Sequence, residues 1–135
     1  MTLQYSTSVR NSKLDVVETT IGLSPILRMR TGAPPANCAA ADSGSILAEC
    51  VLPADWMQAA SAGAKAKNGT WEDLSANATG TAGHFRIYDG AGTICHMQGT
   101  VTINGGGGDM TVDNTSFAAG QAFAVTSFTL TAGNP

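Results

Sequence analysis

Two alternating runs joined by a glycine turn constrain this chain more than any other feature: HFRIYD, GAG and TICHMQGTV, from His84 to Val101. Phe85 and Ile87 share one parity, and so do Cys95, Met97, Val101 and Ile103. A side-chain period of two belongs to strands. Gly90-Ala91-Gly92 supplies a turn with the positive φ that a hairpin needs. Pairing by an even sum, such as Phe85 with Met97, puts the apolar set on one face. His84, Arg86 and Tyr88 then share the other face with His96, Gln98 and Thr100. Cys95 is expected to point into the core, away from His96, which makes a Cys–His nucleophilic pair geometrically poor. His84 and His96 become neighbours on the polar face, but two imidazoles alone do not make a metal site. A third ligand would have to come from Asp89 or a distant carboxylate, so the expectation is a structural hairpin.

One helix precedes this β region. Ser6, Thr7 and Ser8 offer N-caps, Gly22 and Pro25 stop it, and the spacing predicts a helix over about 9–21. Leu14, Val17 and Ile21 form an apolar row that Val9 and Val16 widen, with Asn11, Asp15 and Glu18 opposite. Arg10 and Lys13 fall within the stripe, near the end where the dipole disfavours cations, so the helix depends on packing. Ile26 to Thr31 then alternates Leu27 and Met29 against Arg28 and Arg30. GAPPANCAAADSG reads as a loop. Ser45 to Leu52 reads as a strand apolar on both sides, with Ile46, Cys50 and Leu52 on one face and Leu47 and Val51 on the other. A short helical turn is expected after Pro53 and a strand in GTWEDLS, followed by the hairpin, a glycine turn and a strand around Met110 to Asp113. The last strand, Gln121 to Thr131, changes parity between Phe123/Val125 and Phe128/Leu130. A bulge near Thr126-Ser127, or burial of both faces, would accommodate it. The sum is a mainly β chain: one domain over 1–135, an antiparallel β-sandwich or jelly-roll-like fold with one N-terminal helix.

Chemistry-bearing motifs are few. The run Gly105 to Gly108 is followed by Asp109 and a strand, not by the helix N-terminus and Gly-Lys-Ser/Thr that a phosphate loop requires. Asp109, Asp113 and Asn114 read as solvated loop groups rather than a calcium site. No GxSxG elbow accompanies the serines and histidines. Trp56 and Trp71 read as packing residues. The three cysteines, Cys38, Cys50 and Cys95, have no CxxC spacing and read as small buried hydrophobes. The Asn-x-Ser/Thr sequons at Asn68, Asn77 and Asn114 carry little meaning without export. No catalytic, cofactor-binding or metal residues are assigned.

Charged residues make up 13% of the chain and its net charge is −3. This disfavours nucleic acid as a direct partner, because such binding draws on phosphate neutralisation by clustered basic residues. No signal-peptide pattern or bilayer-length apolar run is present, so the chain is expected to be soluble and made in a cytoplasm. Apolar positions outside the expected core, Leu47, Val51, Tyr88 and Ile94, mark a possible subunit interface.

Four segments carry a resemblance: TLQYSTSVRNSKLDVVETTIG, LRMRTGAPPANCAAADSGSILAECVLP, ATGTAGHFRIYDGAGTICHMQGTV and GGGGDMTVDNTSFAAGQAF. The sequence resembles small virion proteins of tailed bacteriophages and prophages, over nearly its whole length. The resemblance implies a non-enzymatic, β-rich structural protein, made in the host bacterial cytoplasm and placed on the capsid surface as a decoration or cement protein. Its partners would be the major capsid protein and copies of itself, with no cofactor and no membrane. A tail or fibre location is the alternative within the virion. A carbohydrate-binding β-sandwich using Tyr88, Trp71 or the Asp109 loop is the alternative from another class.

Overall fold

The computed structural model describes residues 2–133. Helix α1 spans Thr7–Ile21, capped by the Ser6 hydroxyl, which accepts from the Val9 N–H at 3.3 Å. Gly22, at φ 92°, ends it and donates its N–H to Glu18 O. The strands are β1 (Ile26–Thr31), β2 (Ile46–Val51), β3 (Ala64–Ala66), β4 (Trp71–Asp73), β5 (Gly80–Tyr88), β6 (Cys95–Ile103), β7 (Met110–Val112), β8 (Ser116–Phe117), β9 (Phe123–Val125) and β10 (Thr129–Thr131). The chain is thus mainly β with one N-terminal helix.

Five strands form the large sheet in the order β2-β1-β5-β6-β7, and β8 pairs with the start of β5. All pairs are antiparallel except β6 with β7. A parallel pair ordinarily needs a long crossover, yet here the chain returns within Asn104 to Asp109. The glycine run makes that return possible. Gly105 and Gly107 have positive φ, while a side chain on Gly106 or Gly108 would run into Thr102. The Thr102 hydroxyl accepts from Gly108 N at 3.0 Å, and Asp109 Oδ2 accepts from Thr100 N at 2.9 Å.

Two small sheets, β3 with β10 and β4 with β9, contribute to the same core as the large one. Phe128 is the link: its ring lies 5.7 Å from Phe85 in the large sheet and 5.7 Å from Trp71 in β4, and Trp71 lies 6.0 Å from Trp56. Leu27, Met29 and Ile87 complete the sheet side of the core, each fully buried. An aliphatic side chain so placed stabilises the fold by about 1.5–3 kcal/mol.

Three local expectations fail. The segment after Pro53 forms no helical turn; Met57 bridges Lys67 and the Trp56 indole donates to Gly22 O at 3.1 Å, so pairing and tertiary contact override the local signal. The last strand does not bulge: it breaks where the parity changes, β9 joining β4 and β10 joining β3. The helix does not turn its polar side away. Asn11 Oδ1 accepts from Gly63 N at 2.9 Å, and Lys65 Nζ reaches Asp15 at 2.7 Å and Glu18 at 2.8 Å. Leu14 and Ile21 are buried and Val17 half-buried, whereas Val9 and Val16 stay exposed. The docked face straddles the boundary between the apolar row and the acidic row because Lys65, buried in β3, needs those carboxylates.

Candidate functional site

On the face of the large sheet away from the phenylalanines, the strand register lines up basic residues. Arg28 pairs with Arg86, and Arg30 with His84, across β1 and β5. Like charges so close demand anions. Glu49 in β2 answers Arg28 at 2.7 Å. Asp42, from the loop between β1 and β2, answers the others: it bonds Arg86 Nη1 through Oδ1 and Arg30 Nη2 through Oδ2 at 3.0 Å. Tyr88 donates its hydroxyl to Asp42 Oδ1 at 2.6 Å.

Arg86 is the hub of this layer. Its Nη2 donates to the carbonyls of Asn37, Cys38 and Ala40 at 3.0–3.2 Å, and its Nε to Gln98 Oε1 at 3.2 Å. Gln98 in turn donates to Pro35 O at 2.7 Å. A rigid fork of donors suits this task, where an ammonium would satisfy fewer acceptors. The loop read from sequence as irregular is therefore a lid bonded to the sheet, and it buries Arg86, Arg30 and His84.

The electrostatics follow from this enclosure. Burial opposes the Asp42 charge, but hydrogen bonds from Tyr88 and Arg86 and the nearby guanidinium charges prevail and hold its carboxyl below the usual range. Burial and the bond to Asp42 push the Tyr88 hydroxyl up. Arg86 stays protonated: burial works against it, and Asp42 more than compensates. His84 Nδ1 lies 2.8 Å from Gly32 O, which only accepts, so the ring proton sits there. Arg30 Nε and His84 Nε2 have no hydrogen-bond partner among the described residues.

At the hairpin end, the layer opens into a recess of about 540 Å³ lined by Cys38, Asp42, Arg86, Tyr88, Ile94 and Cys95, among others. A register shift in β5–β6 puts Cys95 there. Phe85 pairs with Gly99 and Ile87 with Met97, keeping the even sum, but Tyr88 pairs with Cys95. Cys95 thus lies on the arginine side beside Cys38, not in the core as expected. The expected pairing of Phe85 with Met97 is displaced by two residues, so Phe85 faces Gly99 and the parity is kept. His84 and His96 are not neighbours: His84 is buried under the lid, whereas His96 borders a shallow recess with Val17 and Ile21 of α1.

Burial, then hydrogen bonding to Cys38, pushes the Cys95 thiol up to about 11, so its thiolate is scarce near neutrality. Among the described residues, no three His, Cys, Asp or Glu side chains gather where they could hold a metal ion. Trp71 and Tyr88 are buried, which leaves neither ring as a stacking platform for sugar. Asp109 is occupied with Thr100. Asp113 accepts from Asn104 at 2.8 Å.

The four candidate interface residues divide. Leu47 is fully buried in the common core beside Gly80, and Tyr88 is buried among Arg28, Arg86 and Asp42. Val51 and Ile94 are 66% and 57% exposed. They are related through the sheet: Val51, Ile26, Tyr88 and Cys95 pair successively across four strands, and Ile94 adjoins Cys95. Three strand spacings put the ends of that row about 14 Å apart. Sequence reasoning missed Asp42, Arg86 and Cys38 as a cluster; the signal was the surplus of arginines on one strand face, which required a buried counter-charge.

No helix among the described residues is long and apolar enough to cross a membrane. Neither family models, nor curated proteins, nor solved structures provide a match to this chain.

Proposed function

We propose that this chain is a virion structural protein, a capsid decoration or cement protein that binds across neighbouring shell subunits. The observation that carries the reading is the row at the hairpin end, where Val51 and Ile94, just before β6, stand exposed beside a layer whose Asp42, Arg86 and Tyr88 side chains are bonded to one another. Such a margin supports adhesion and offers no activated nucleophile, which favours a non-enzymatic role. The segments resembling phage virion proteins give the partner class: the major capsid protein and other copies of this chain. The protein would be made in the host bacterial cytoplasm and reside on the capsid surface. The finer architecture belongs to the same proposal: a sandwich or jelly-roll-like body, supported by Phe128 linking the small sheets to Phe85 of the large one.

Symmetry supplies the mechanism. A few aliphatic anchors of about 1.5–3 kcal/mol each, repeated over many copies, resist the outward pressure of packaged DNA. Reconstruction of the intact particle should place this chain on the outer shell between capsid subunits. Density along the tail or fibres, or none on the shell, overturns the head assignment. In a shell-binding assay, Val51→Asp with Ile94→Asp should weaken attachment at least tenfold while leaving the fold intact; unchanged attachment rules out this row as the contact.

A further inference from the structure

Cys38 and Cys95 come from distant parts of the chain, yet both line the wall of one recess open to solvent, where their thiols act on each other and Cys95 Sγ donates to Met97 O at 3.4 Å. Both are held there by construction. The register shift at Tyr88 turns Cys95 onto the arginine side of the sheet. Arg86 Nη2 grips the backbone of Cys38 itself, and of Asn37 and Ala40 around it. The Asn37 side chain closes a tight turn by accepting from Ala39 N at 2.9 Å and Ala40 N at 3.0 Å. Cys50 stands apart, fully buried in the core, its thiol pushed up to about 12 by burial and by the carboxylates of Asp73, Glu72 and Glu49.

We propose that Cys38 and Cys95 form a modification site: a thiol pair that closes to a disulfide when it meets a low-molecular-weight disulfide, clamping the 32–44 lid to β6. One cysteine, as thiolate, attacks a sulfur of the small disulfide; a mixed disulfide forms and one small thiolate leaves. The second cysteine, deprotonated, attacks the protein sulfur of that mixed bond, which breaks and expels the second small thiolate. The protein pair loses two electrons, the small disulfide gains them, and the two thiol protons end on the two small thiols. The sulfurs must close to the bonded distance of roughly 2.05 Å, and the bonds from Arg86 and the Asn37 turn hold Cys38 facing the same recess as Cys95 while they do. In a reducing cytoplasm the pair stays open, and in an oxidising exterior it closes. The clamp goes beyond the virion reading and stands whether or not that reading does.

The test is incubation of the folded protein with oxidised glutathione, followed by alkylation and peptide mapping without reductant. The expected product has lost two hydrogens, joins the Cys38 and Cys95 peptides, and carries an alkylated Cys50. Its Tm should rise by about 10 °C, given the long stretch of chain enclosed, and return on reduction. Glutathione remaining on either cysteine, a bond to Cys50, a link between chains, or unreacted thiols overturns the proposal, as does a linked form with unchanged Tm. Cys50→Ala should still close and Cys38→Ser should not. If Cys38→Ser fails to fold, wild-type protein alkylated in its native state before oxidation is the control that must not link.

Discussion

The arginine layer and helix α1 are both tied down by one buried cation, and they differ in what surrounds it. Arg86 is enclosed by a lid whose backbone carbonyls, carboxylate and amide leave its donors committed. Lys65 is just as buried, but among the described residues it is held by two helix carboxylates alone, Asp15 and Glu18 (51% and 23% exposed). Arg86 adds three lid carbonyls and Gln98 to its own 38% exposed partner Asp42. A buried charge holds its surroundings most firmly when further hydrogen bonds satisfy the donors its ion pair leaves over. Where the partners can re-solvate, the same ion pair is a light fastening. The lid is therefore part of the sheet, and the helix is an attachment to it.

The largest break in this comparison should come from Arg86→Met. It leaves the lid carbonyls without their donor and Asp42 with only Arg30 and Tyr88, and it should cost about 3 kcal/mol in chemical denaturation. A loss under about 1 kcal/mol would mean the lid holds without its hub. Acid should act next. Asp42 and Asp15 are both held below their ordinary range, Asp15 chiefly by the Lys65 hydrogen bond. Each therefore stabilises the fold above about pH 4, and that share is lost as the pH falls through the lowered folded values. Amide chemical shifts should record loosening of both the lid and α1 in that window. In an Arg86→Met background, the lid's part of the response should shrink.

Lys65→Met should have a smaller effect, about 1 kcal/mol or less, because the released carboxylates turn to water. Faster hydrogen exchange should be confined to α1; spread into β5 and β6 would contradict the division between body and attachment. Val16→Ser should change stability least, within about 0.5 kcal/mol, since Val16 is exposed on the helix.

Much of this body was legible. The stop at Gly22, the alternation of Leu27 and Met29, and the shared parity of Phe85 and Ile87 each reflect a local period, and each stands in the structure. The misplaced polar residues share one cause: they were taken to face water. Arg30, His84 and Arg86 are buried because a loop with no periodicity brings Asp42 and its own carbonyls to them. Asp15, still half exposed, and Glu18 bond toward the body because Lys65, in a strand of three residues, lies within reach of them. Cys95 changed sides through a register shift at Tyr88, and a single slip of that kind leaves no compositional trace. For the candidate interface, Val51 and Ile94 were readable as exposed apolar positions, but Leu47 was not separable from Val51 by parity alone.

The strand order also governs the time the chain needs. β1 lies between β2, its neighbour in sequence, and β5, which is synthesised long afterwards. The middle of the sheet cannot zip until most of the polypeptide exists, so folding should be slow for a domain this size, in milliseconds to seconds. Until β5 arrives, β1 presents an open edge rich in arginine, whose charges discourage it from pairing with another nascent copy.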